Sequence, residues 1–417
     1  MNNKKGSVTI FVMMFMVSLI MLFMVMIKAA EDAAVKGAFS SMGIMWCDSV
    51  LAEYDKNLED RYDIFAFYGL TPEVNAKLRF YAGESVLNKR YITMSKAESS
   101  LSGFSLMDTE NFKGQVIRAS QYRIAGDIVG KAGEYEVHGE PQPKTEGGSA
   151  LMQDLPSGGS EQSVTASGFR HAVESAGSIG GVIKSAGDLY LENRYIFSYF
   201  KDRSDAKDLG ETYLNNEIEY IICGKKSDDA IENNMKLKLI AVRSIFNTIY
   251  AFEDPEINAE TLAAAEIITP GAAPLTQKLL QTAWAACESV NDYNLLINGK
   301  KVPLYKDRGS WATSLESIIK GGIREIDEGK EPECKEEVPC IDPGNETGED
   351  YHDYLNAMLF MIDENVKLLR MMDLMQINMR YCCYSDFRIR EYNTGLEAHF
   401  EANGADVKIK RKYFGVD

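Results

Sequence analysis

Catalytic chemistry would need a nucleophile with a base beside it. The closest pattern in this 417-residue chain is "SIIK", Ser317 to Lys320. One helical turn would bring an unprotonated Lys320 beside the Ser317 hydroxyl, where it could act as the base. The companion motifs of serine penicillin-interacting enzymes do not follow, because "SVN" at 289–291 comes earlier and there is no K-T-G. Such a loose pattern favours an ordinary helix surface, and we predict no enzyme.

Other motifs of enzyme chemistry are missing from the sequence. It contains no G-x-S-x-G, no H-E-x-x-H, no P-loop and no dinucleotide-binding glycine pattern. None of its four histidines pairs with another at a spacing suited to a metal ion. They are His138, His171, His352 and His399. We therefore predict no catalytic site, no metal and no cofactor.

The acidic stretch 342–353, "DPGNETGEDYHD", offers carboxylates that could hold calcium outside a cell. It does not fit the twelve-residue calcium-loop pattern. A solvated loop that caps the following helix is the favoured interpretation.

Seven cysteines make an odd count with irregular spacing, which is a poor disulfide framework. Cys334 and Cys340 lie in one polar loop and could form a short-range disulfide outside the cell or remain two free thiols. Cys382 and Cys383 are adjacent, and we predict that both are small buried residues, since free cysteine is usually found in the core.

The net charge of −17 belongs to an acidic chain. Such a charge disfavours nucleic acid or anionic headgroups as the main partner of its body. With 45% hydrophobic and 26% charged residues, the composition is that of a folded protein.

The N-terminus carries the strongest signal, a run of 21 residues without a charge from Ser7 to Ile27. At 1.5 Å per residue this run crosses a hydrocarbon core of roughly 30 Å. It is longer than the apolar region of a cleaved signal peptide, and Lys28 occupies a place where a cut would need a small residue. Lys4 and Lys5 precede the run, so we predict a membrane helix with its N-terminus in the cytoplasm and the body outside.

The helix is predicted to continue beyond the membrane, because no proline interrupts the first 70 residues. Steps of three and four place a stripe of side chains on one face up to Leu58. Small residues near lipid let helix backbones approach closely, so we predict lateral helix packing by Ala30, Ala33, Gly37, Ser40 and Ile44. In the outer half of the stripe, docking onto the chain's own domain is favoured instead.

The body reads as α+β. Strand-like segments near 62–106 and period-2 strands at 385–415 are predicted to form one antiparallel sheet, with mostly helical sequence between them. A stretch rich in Gly, Ser and Pro should be flexible. The predicted organisation is a basic cytoplasmic leader at 1–6, a membrane helix at 7–27, a stalk helix at 28–60, the first part of the body at 61–137, a flexible linker at 138–168, and a helical region with C-terminal strands at 169–417.

A basic leader, a glycine and a hydrophobic helix that runs into an exported domain resemble the start of type IV prepilins. This resemblance implies a prepilin-peptidase cut between Gly6 and Ser7. Where prepilins usually carry a glutamate, five residues into the mature chain, this sequence has Phe11. The resemblance therefore implies a minor pilin-like protein, not a major pilin.

Further segments, among them "SVLAEYDKNLEDRYDIFAFYGL", "GKKVPLYKDRGSW" and "LLRMMDLMQINMR", resemble an exported family of Gram-positive bacteria. Its N-termini are similar to TadE/TadG-like proteins of Tad/Flp (type IVc) pilus systems. The resemblance implies an extracytoplasmic structural or accessory protein. Its expected partners are the lipid bilayer and other pilus assembly proteins, with no nucleic acid. A tethered sensor or ligand-binding module is the alternative.

Overall fold

The computed structural model describes nine stretches of the chain: residues 5–86, 94–129, 148–159, 162–184, 188–204, 211–319, 340–344, 347–402 and 405–414. It is an α+β protein, as predicted. The chain divides into two compact units instead of one body with a linker. The sheet unit comprises residues 1–59, 63–111 and 388–417, and the helical unit comprises residues 60–62 and 112–387.

The described residues of the sheet unit form one very long helix, two shorter helical segments and five strands. In chain order these are α1 (Lys5–Leu51), α2 (Lys56–Tyr62, whose last turn belongs to the helical unit), β1 (Phe67–Tyr68), α3 (Thr71–Val86), β2 (Met94–Ser100), β3 (Tyr392–Asn393), β4 (Gly395–Ala402) and β5 (Ala405–Lys412).

The strands form two antiparallel sheets, with order β1-β3 and β2-β4-β5. Ala97 of β2 pairs with Phe400 of β4, and Ala398 of β4 pairs with Ile409 of β5. Side chains of these strands alternate between a buried and a polar face, as period-2 sequences should. The predicted antiparallel pairing between the two ends of the body is confirmed, but the strands form two small sheets where one was predicted.

The prediction of one helix as far as Leu58 is wrong, because α1 ends at Leu51. Tyr54 forms a backbone bridge with Phe67 of β1, which requires extended backbone. Asp55 then caps α2, its carboxylate accepting a hydrogen bond of 3.1 Å from the Leu58 N–H. A local side-chain cap thus starts a new helix where hydrophobic periodicity favoured continuation.

In its described residues, the helical unit is built from α4 (Thr109–Val129), which begins in the sheet unit, and from eleven further helices. These are α5 (Gly148–Leu151), α6 (Ala166–Ala176), α7 (Ile179–Lys184), α8 (Asp188–Tyr199), α9 (Glu217–Cys223), α10 (Asp228–Glu253), α11 (Pro255–Ile268), α12 (Ala273–Ile297), α13 (Leu315–Ser317), α14 (Tyr351–Leu359) and α15 (Glu364–Cys382).

The sequence of residues 217–253 predicts two helices separated at a Gly-Lys-Lys-Ser-Asp-Asp turn, with Ser227 as the N-cap of the second. This division is confirmed, because the Ser227 side chain accepts from the Ala230 N–H at the start of α10. The acidic loop ends as predicted in a cap, since Asp350 and Asp353 form a capping box at the start of α14. The sequence of residues 351–381 predicts one long helix, and this prediction is wrong. Asp363 accepts hydrogen bonds from the N–H groups of Asn365 and Val366, which starts α15 as a separate helix.

The prediction of a flexible linker at 138–168 is wrong for its second half. Carbonyl oxygens of this segment accept hydrogen bonds from α15: the Arg380 Nη1 binds Gln153 O at 2.6 Å, and the Arg370 Nη2 binds Gln162 O at 2.7 Å. Leu151 and Val164 are buried. Polar side chains of a distant helix thus replace water as partners of the backbone. Residues 138–147 lie outside the described stretches.

Candidate functional site

The N-terminal part of α1 is apolar and solvent-exposed. Its large apolar side chains from Val8 to Ile27 are exposed, except that Leu19 is half-buried. Keeping them in water costs about 25 cal/mol per Å² of apolar surface. In the described part of the chain, α1 is the single helix long and apolar enough to cross a membrane. It is the candidate membrane span, and Gly6 and Ser7 lie in its first turn.

The C-terminal third of α1 packs against the sheet through one face, which we call the docking face: Phe39, Gly43, Trp46 and Val50. The Trp46 ring meets the rings of Phe39 at 5.5 Å and Phe400 at 5.1 Å in edge-to-face geometry. Its indole N–H donates a 2.9 Å hydrogen bond to Ser85 Oγ on α3. The docking face therefore combines apolar burial with a satisfied polar group.

Gly43 brings α1 close to the sheet. A Cβ atom there would collide with Ile409 Cδ1 and lie 3.1 Å from two ring atoms of Phe400. Sequence reasoning missed this face, although Phe39, Gly43, Trp46 and Val50 follow one another at steps of four, three and four. That spacing is a second helical stripe, and its large residues were the signal for docking.

The residues predicted to pack laterally lie on the other side of α1. Nine residues at 100° each turn the helix by about 180° between Gly37 and Trp46. Ala30, Ala33 and Gly37 are exposed, and a Cβ atom on Gly37 would have no neighbour within 4 Å. Ser40 is half-buried and Ile44 is 38% exposed. This small-residue face is thus left uncovered, whereas Cys47 and Leu51 in the outer half of the stripe are buried.

Of the two alternatives for Cys334 and Cys340, the disulfide does not form, because Cys340 is a free, exposed thiol; Cys334 lies outside the described residues. The neighbouring Ile341 is fixed to α12 by Asn291, whose Oδ1 accepts from the Ile341 N–H at 2.7 Å and whose Nδ2 donates to its carbonyl. Cys287, buried on α12, is disulfide-bonded instead.

Cys382 and Cys383 are half-buried, so the prediction that both are buried is wrong. They fall at the C-terminal end of α15, where the helix stops. The Cys382 thiol bonds the Glu211 carbonyl at 3.0 Å.

A cluster of charged residues lies completely inside the helical unit. Asp292 of α12 is 2.9 Å from the Arg243 Nε and 2.6 Å from the Lys306 Nζ, and the same lysine is 2.5 Å from Glu288. Burial raises the pKa of Asp292, but the charges of Arg243 and Lys306 outweigh burial and lower it overall. We call these four residues the ionic cluster.

Backbone and amide groups complete the ionic cluster. Arg243 donates to the Leu304 carbonyl at 3.1 Å, and Glu288 accepts from the Ala312 and Thr313 N–H groups at 3.0 and 2.9 Å. Every member is thus paired and hydrogen-bonded, which is the condition for burying charge. The ionic cluster was not predicted from the sequence, because its residues come from three separate segments of the chain. Each charged residue taken alone has the character of a surface residue.

Two further carboxylates are buried on α9. Glu217 accepts hydrogen bonds from the Lys201 N–H at 2.9 Å and Asn378 Nδ2 at 2.6 Å. Glu219 Oε1 accepts from the Arg203 N–H at 3.0 Å and the Tyr351 hydroxyl at 2.7 Å. Burial raises the pKa of each to about 7, although these hydrogen bonds lower it. The pair fastens the backbone at residues 201–203 to α9.

The sequence pattern for catalysis is not assembled in the described residues. The Ser317 hydroxyl donates to the Ser314 carbonyl at the start of a short helix, and Lys320 lies outside the described stretches. His352 contacts Asp202 at 2.7 Å, and His399 contacts Asp406 at 2.6 Å and Glu401 at 3.6 Å. Within the part of the chain that the structure describes, no three His, Cys, Asp or Glu side chains form a metal-binding group.

A family model for a family of unknown function, DUF5702, matches residues 141–404. The chain belongs to this family. No curated protein and no solved structure matches the chain.

The DUF5702 match covers most of the helical unit and strands β3 and β4, and it leaves α1 outside. The ionic cluster and the two α9 carboxylates therefore belong to the region that defines the family. The candidate membrane span lies outside that region.

Glu219→Gln should flatten the pH dependence of stability. The pKa of Glu219 is about 7 in the folded state, whereas its ordinary value is 4.5. Between pH 4.5 and pH 7 the folded protein therefore keeps a proton on this carboxyl that the unfolded protein has lost. The contribution of Glu219 to the free energy of unfolding is therefore largest below about pH 4.5 and decreases as the pH rises to about 7. An amide removes the buried charge and keeps Oε1 as acceptor, so the variant should gain roughly 1–3 kcal/mol over wild type at pH 8.

Urea unfolding at pH 5 and pH 8 would measure this difference. Glu232→Gln is the matched control, because Glu232 pairs with Arg203 at an exposed position. It should leave the pH slope unchanged. A Glu219→Gln variant whose stability still fell with pH as steeply as that of wild type would contradict the assignment.

Proposed function

We propose that this chain is a single-pass membrane protein whose body lies outside the cytoplasmic membrane. It serves as a minor pilin-like or accessory component of a Tad/Flp-type pilus or related secretion assembly. The observation that carries the proposal is the division of α1. Its apolar first half is uncovered, its last third is fixed to the sheet by the docking face, and its small-residue face remains open.

This division suits a subunit that assembles laterally in a bilayer. A helix fixed to its own sheet at one end holds its other end in a defined direction. Ala30, Ala33 and Gly37 lie just beyond the predicted span. Small side chains near lipid let the backbone of another helix approach closely, so these residues offer a packing surface to such a helix.

Two features support placing the body outside the cytoplasm. Lys4 and Lys5 flank the apolar run on the side that would be cytoplasmic, in agreement with the positive-inside rule. The disulfide at Cys287 favours an oxidising compartment, because cytosolic disulfides are rare.

Labelling of Cys340 tests this topology. A membrane-impermeant maleimide added to intact cells should modify this exposed thiol, and Cys340→Ser should remove the signal. Modification that required cell lysis would place the body in the cytoplasm and overturn the topology.

Gly37→Leu tests the lateral packing. The new side chain has open space in the subunit itself, so the body should stay folded. A loss of about 1.4 kcal/mol of helix packing would weaken association about tenfold. Recovery of neighbouring proteins after cross-linking in membranes measures the effect.

Ala38→Leu is the control for this experiment, because Ala38 is equally exposed and lies about 100° around the helix. It should associate as wild type does. If Gly37→Leu co-purified with its neighbours at wild-type yield, packing through this face would be wrong.

A further inference from the structure

The ionic cluster holds an amine against a carboxyl group inside the protein. The Lys306 Nζ lies 2.6 Å from Asp292 Oδ1 and 2.5 Å from Glu288 Oε1, and none of the three side chains is more than 1% exposed. The amine donates hydrogen bonds to Glu288 and to the Ser310 carbonyl. Asp292 Oδ1, by contrast, has no hydrogen-bond partner in the described part of the chain. The amine therefore approaches the Asp292 carboxyl closely without the angles of a hydrogen bond.

We propose that Lys306 and Asp292 form an intramolecular amide bond, with Glu288 as the base that moves the protons. The bond would join α12 covalently to the segment between α12 and α13. All of the groups involved belong to the helical unit, so the proposal does not depend on the membrane anchor.

The first step is a proton transfer within the ion pair. The ammonium of Lys306 gives one proton to Asp292 Oδ1, which leaves an amine and a carboxylic acid without any change in net charge. Arg243 keeps Asp292 ionised most of the time, so this neutral pair is a minor state. Burial penalises both charged forms and so favours the neutral pair. A bond that forms once in the life of the protein does not need a highly populated reactive state.

The second step is attack of the amine on the carboxyl carbon. Asp292 Oδ2 accepts hydrogen bonds from Arg243 Nε at 2.9 Å and from Asn247 Nδ2 at 2.8 Å. As the bond from Lys306 Nζ to Asp292 Cγ forms, the carbonyl electron pair moves to Oδ2, where these two donors stabilise the negative charge. The fold holds both reactants in contact, which removes the entropic cost of bringing them together.

Glu288 completes the reaction by moving the second proton. Its Oε1 takes a proton from Nζ and passes it to Oδ1 of Asp292, the Cγ–Oδ1 bond breaks, and water leaves. The Thr313 N–H and hydroxyl hold the other oxygen of Glu288 in place at 2.9 and 2.7 Å. One amine and one carboxylic acid thus give one amide and one water, and the reaction needs no oxidant or cofactor. The amide replaces a buried ion pair, whose desolvation is costly.

An exposed ion pair of the same unit provides an internal control. Lys300 Nζ lies 2.9 Å from Asp342 Oδ2, but the two side chains are 55% and 40% exposed. Water stabilises both charges there, so the neutral pair is not favoured. This pair should not form a bond.

Peptide mapping of the full-length protein tests the proposal. Denaturation, reduction and digestion with trypsin destroy ion pairs and disulfides but leave amide bonds. Trypsin does not cut after a lysine whose amine is in an amide. Residues 279–300 and 302–308 should therefore appear as one branched peptide, lighter than the sum of the two by one water. Tandem mass spectrometry should locate the branch at Asp292 and Lys306.

Three variants assign the roles. Glu288→Gln removes the base and keeps an oxygen acceptor, and Lys306→Arg keeps the cation but lacks the amine. Each should lose the branched peptide, and circular dichroism shows whether the variant has folded. Asp342→Asn is the matched control at the exposed pair and should yield the branched peptide as wild type does.

The wild-type digest decides the proposal even if a variant does not fold. Recovery of 279–300 and 302–308 only as separate peptides would overturn it. Loss of water confined to 279–300 would also overturn it, because Asp292 would then have cyclised onto its own backbone. A link between Lys300 and Asp342 at equal yield would show that the reaction is not specific to the ionic cluster. A folded Glu288→Gln protein that links as completely as wild type would contradict the role of Glu288.

Discussion

Gly43→Leu is expected to destabilise the sheet unit by about 2–3 kcal/mol, because overpacking a close contact costs about this much. A Cβ atom already collides with Ile409, and the rest of a leucine side chain would have to displace the Phe400 ring. Replacing glycine within a helix returns up to about 1 kcal/mol of propensity, which does not offset the loss.

Hydrogen exchange of β4 peptides would measure this effect. A loss of about 2.8 kcal/mol corresponds to about a hundredfold faster opening. Gly37→Leu is the matched control: it makes the same substitution in the same helix, where a Cβ meets nothing within 4 Å, and β4 exchange should not speed up. If Gly43→Leu left exchange of β4 unchanged, the docking face would not be what holds α1 on the sheet.

Lys306→Met should destabilise the helical unit by about 3–5 kcal/mol, the usual cost of leaving a buried charge without its partner. Glu288 would lose the Lys306 cation that lies 2.5 Å away, and Asp292 would keep Arg243 as its remaining cationic partner. Urea unfolding followed by far-UV circular dichroism would measure the loss.

Two further variants serve as controls for the Lys306→Met result. Lys306→Met combined with Glu288→Gln removes the charge together with its partner and should recover part of the loss. Arg308→Met, which breaks exposed contacts with Glu256 and Glu260, should cost less than about 1 kcal/mol. A Lys306→Met protein as stable as the Arg308→Met protein would show that the ionic cluster does not hold the unit together.

Local signals predicted several elements well. The cap at Ser227, the strands of the C-terminal hairpin and the apolar run before Lys28 each depend on neighbours within a few residues. Where two local signals competed, periodicity alone was misleading. At Asp55 and Asp363 the hydrophobic periodicity of the preceding helix continued, yet the aspartate carboxylate capped the start of a new helix.

The sites with the largest expected effects were not predicted. Arg243, Asp292 and Lys306 are far apart in the chain, and their pairing depends on three segments meeting in the interior. The segment 148–168 looked flexible because its partners, Arg370 and Arg380, lie more than two hundred residues away. The Cys287 disulfide was missed because its geometry depends on the fold.

The amino-acid sequence by itself determined that a long apolar helix opens the chain, that strands at both ends of the body pair, and that no familiar catalytic motif is present. These properties depend on composition and on periodicity along the chain. Tertiary structure alone decided which face of α1 meets the sheet, which charges are buried and which thiol is paired. Such choices depend on contacts between residues distant in sequence, and two faces of one helix can satisfy the same periodicity until a partner surface selects one of them.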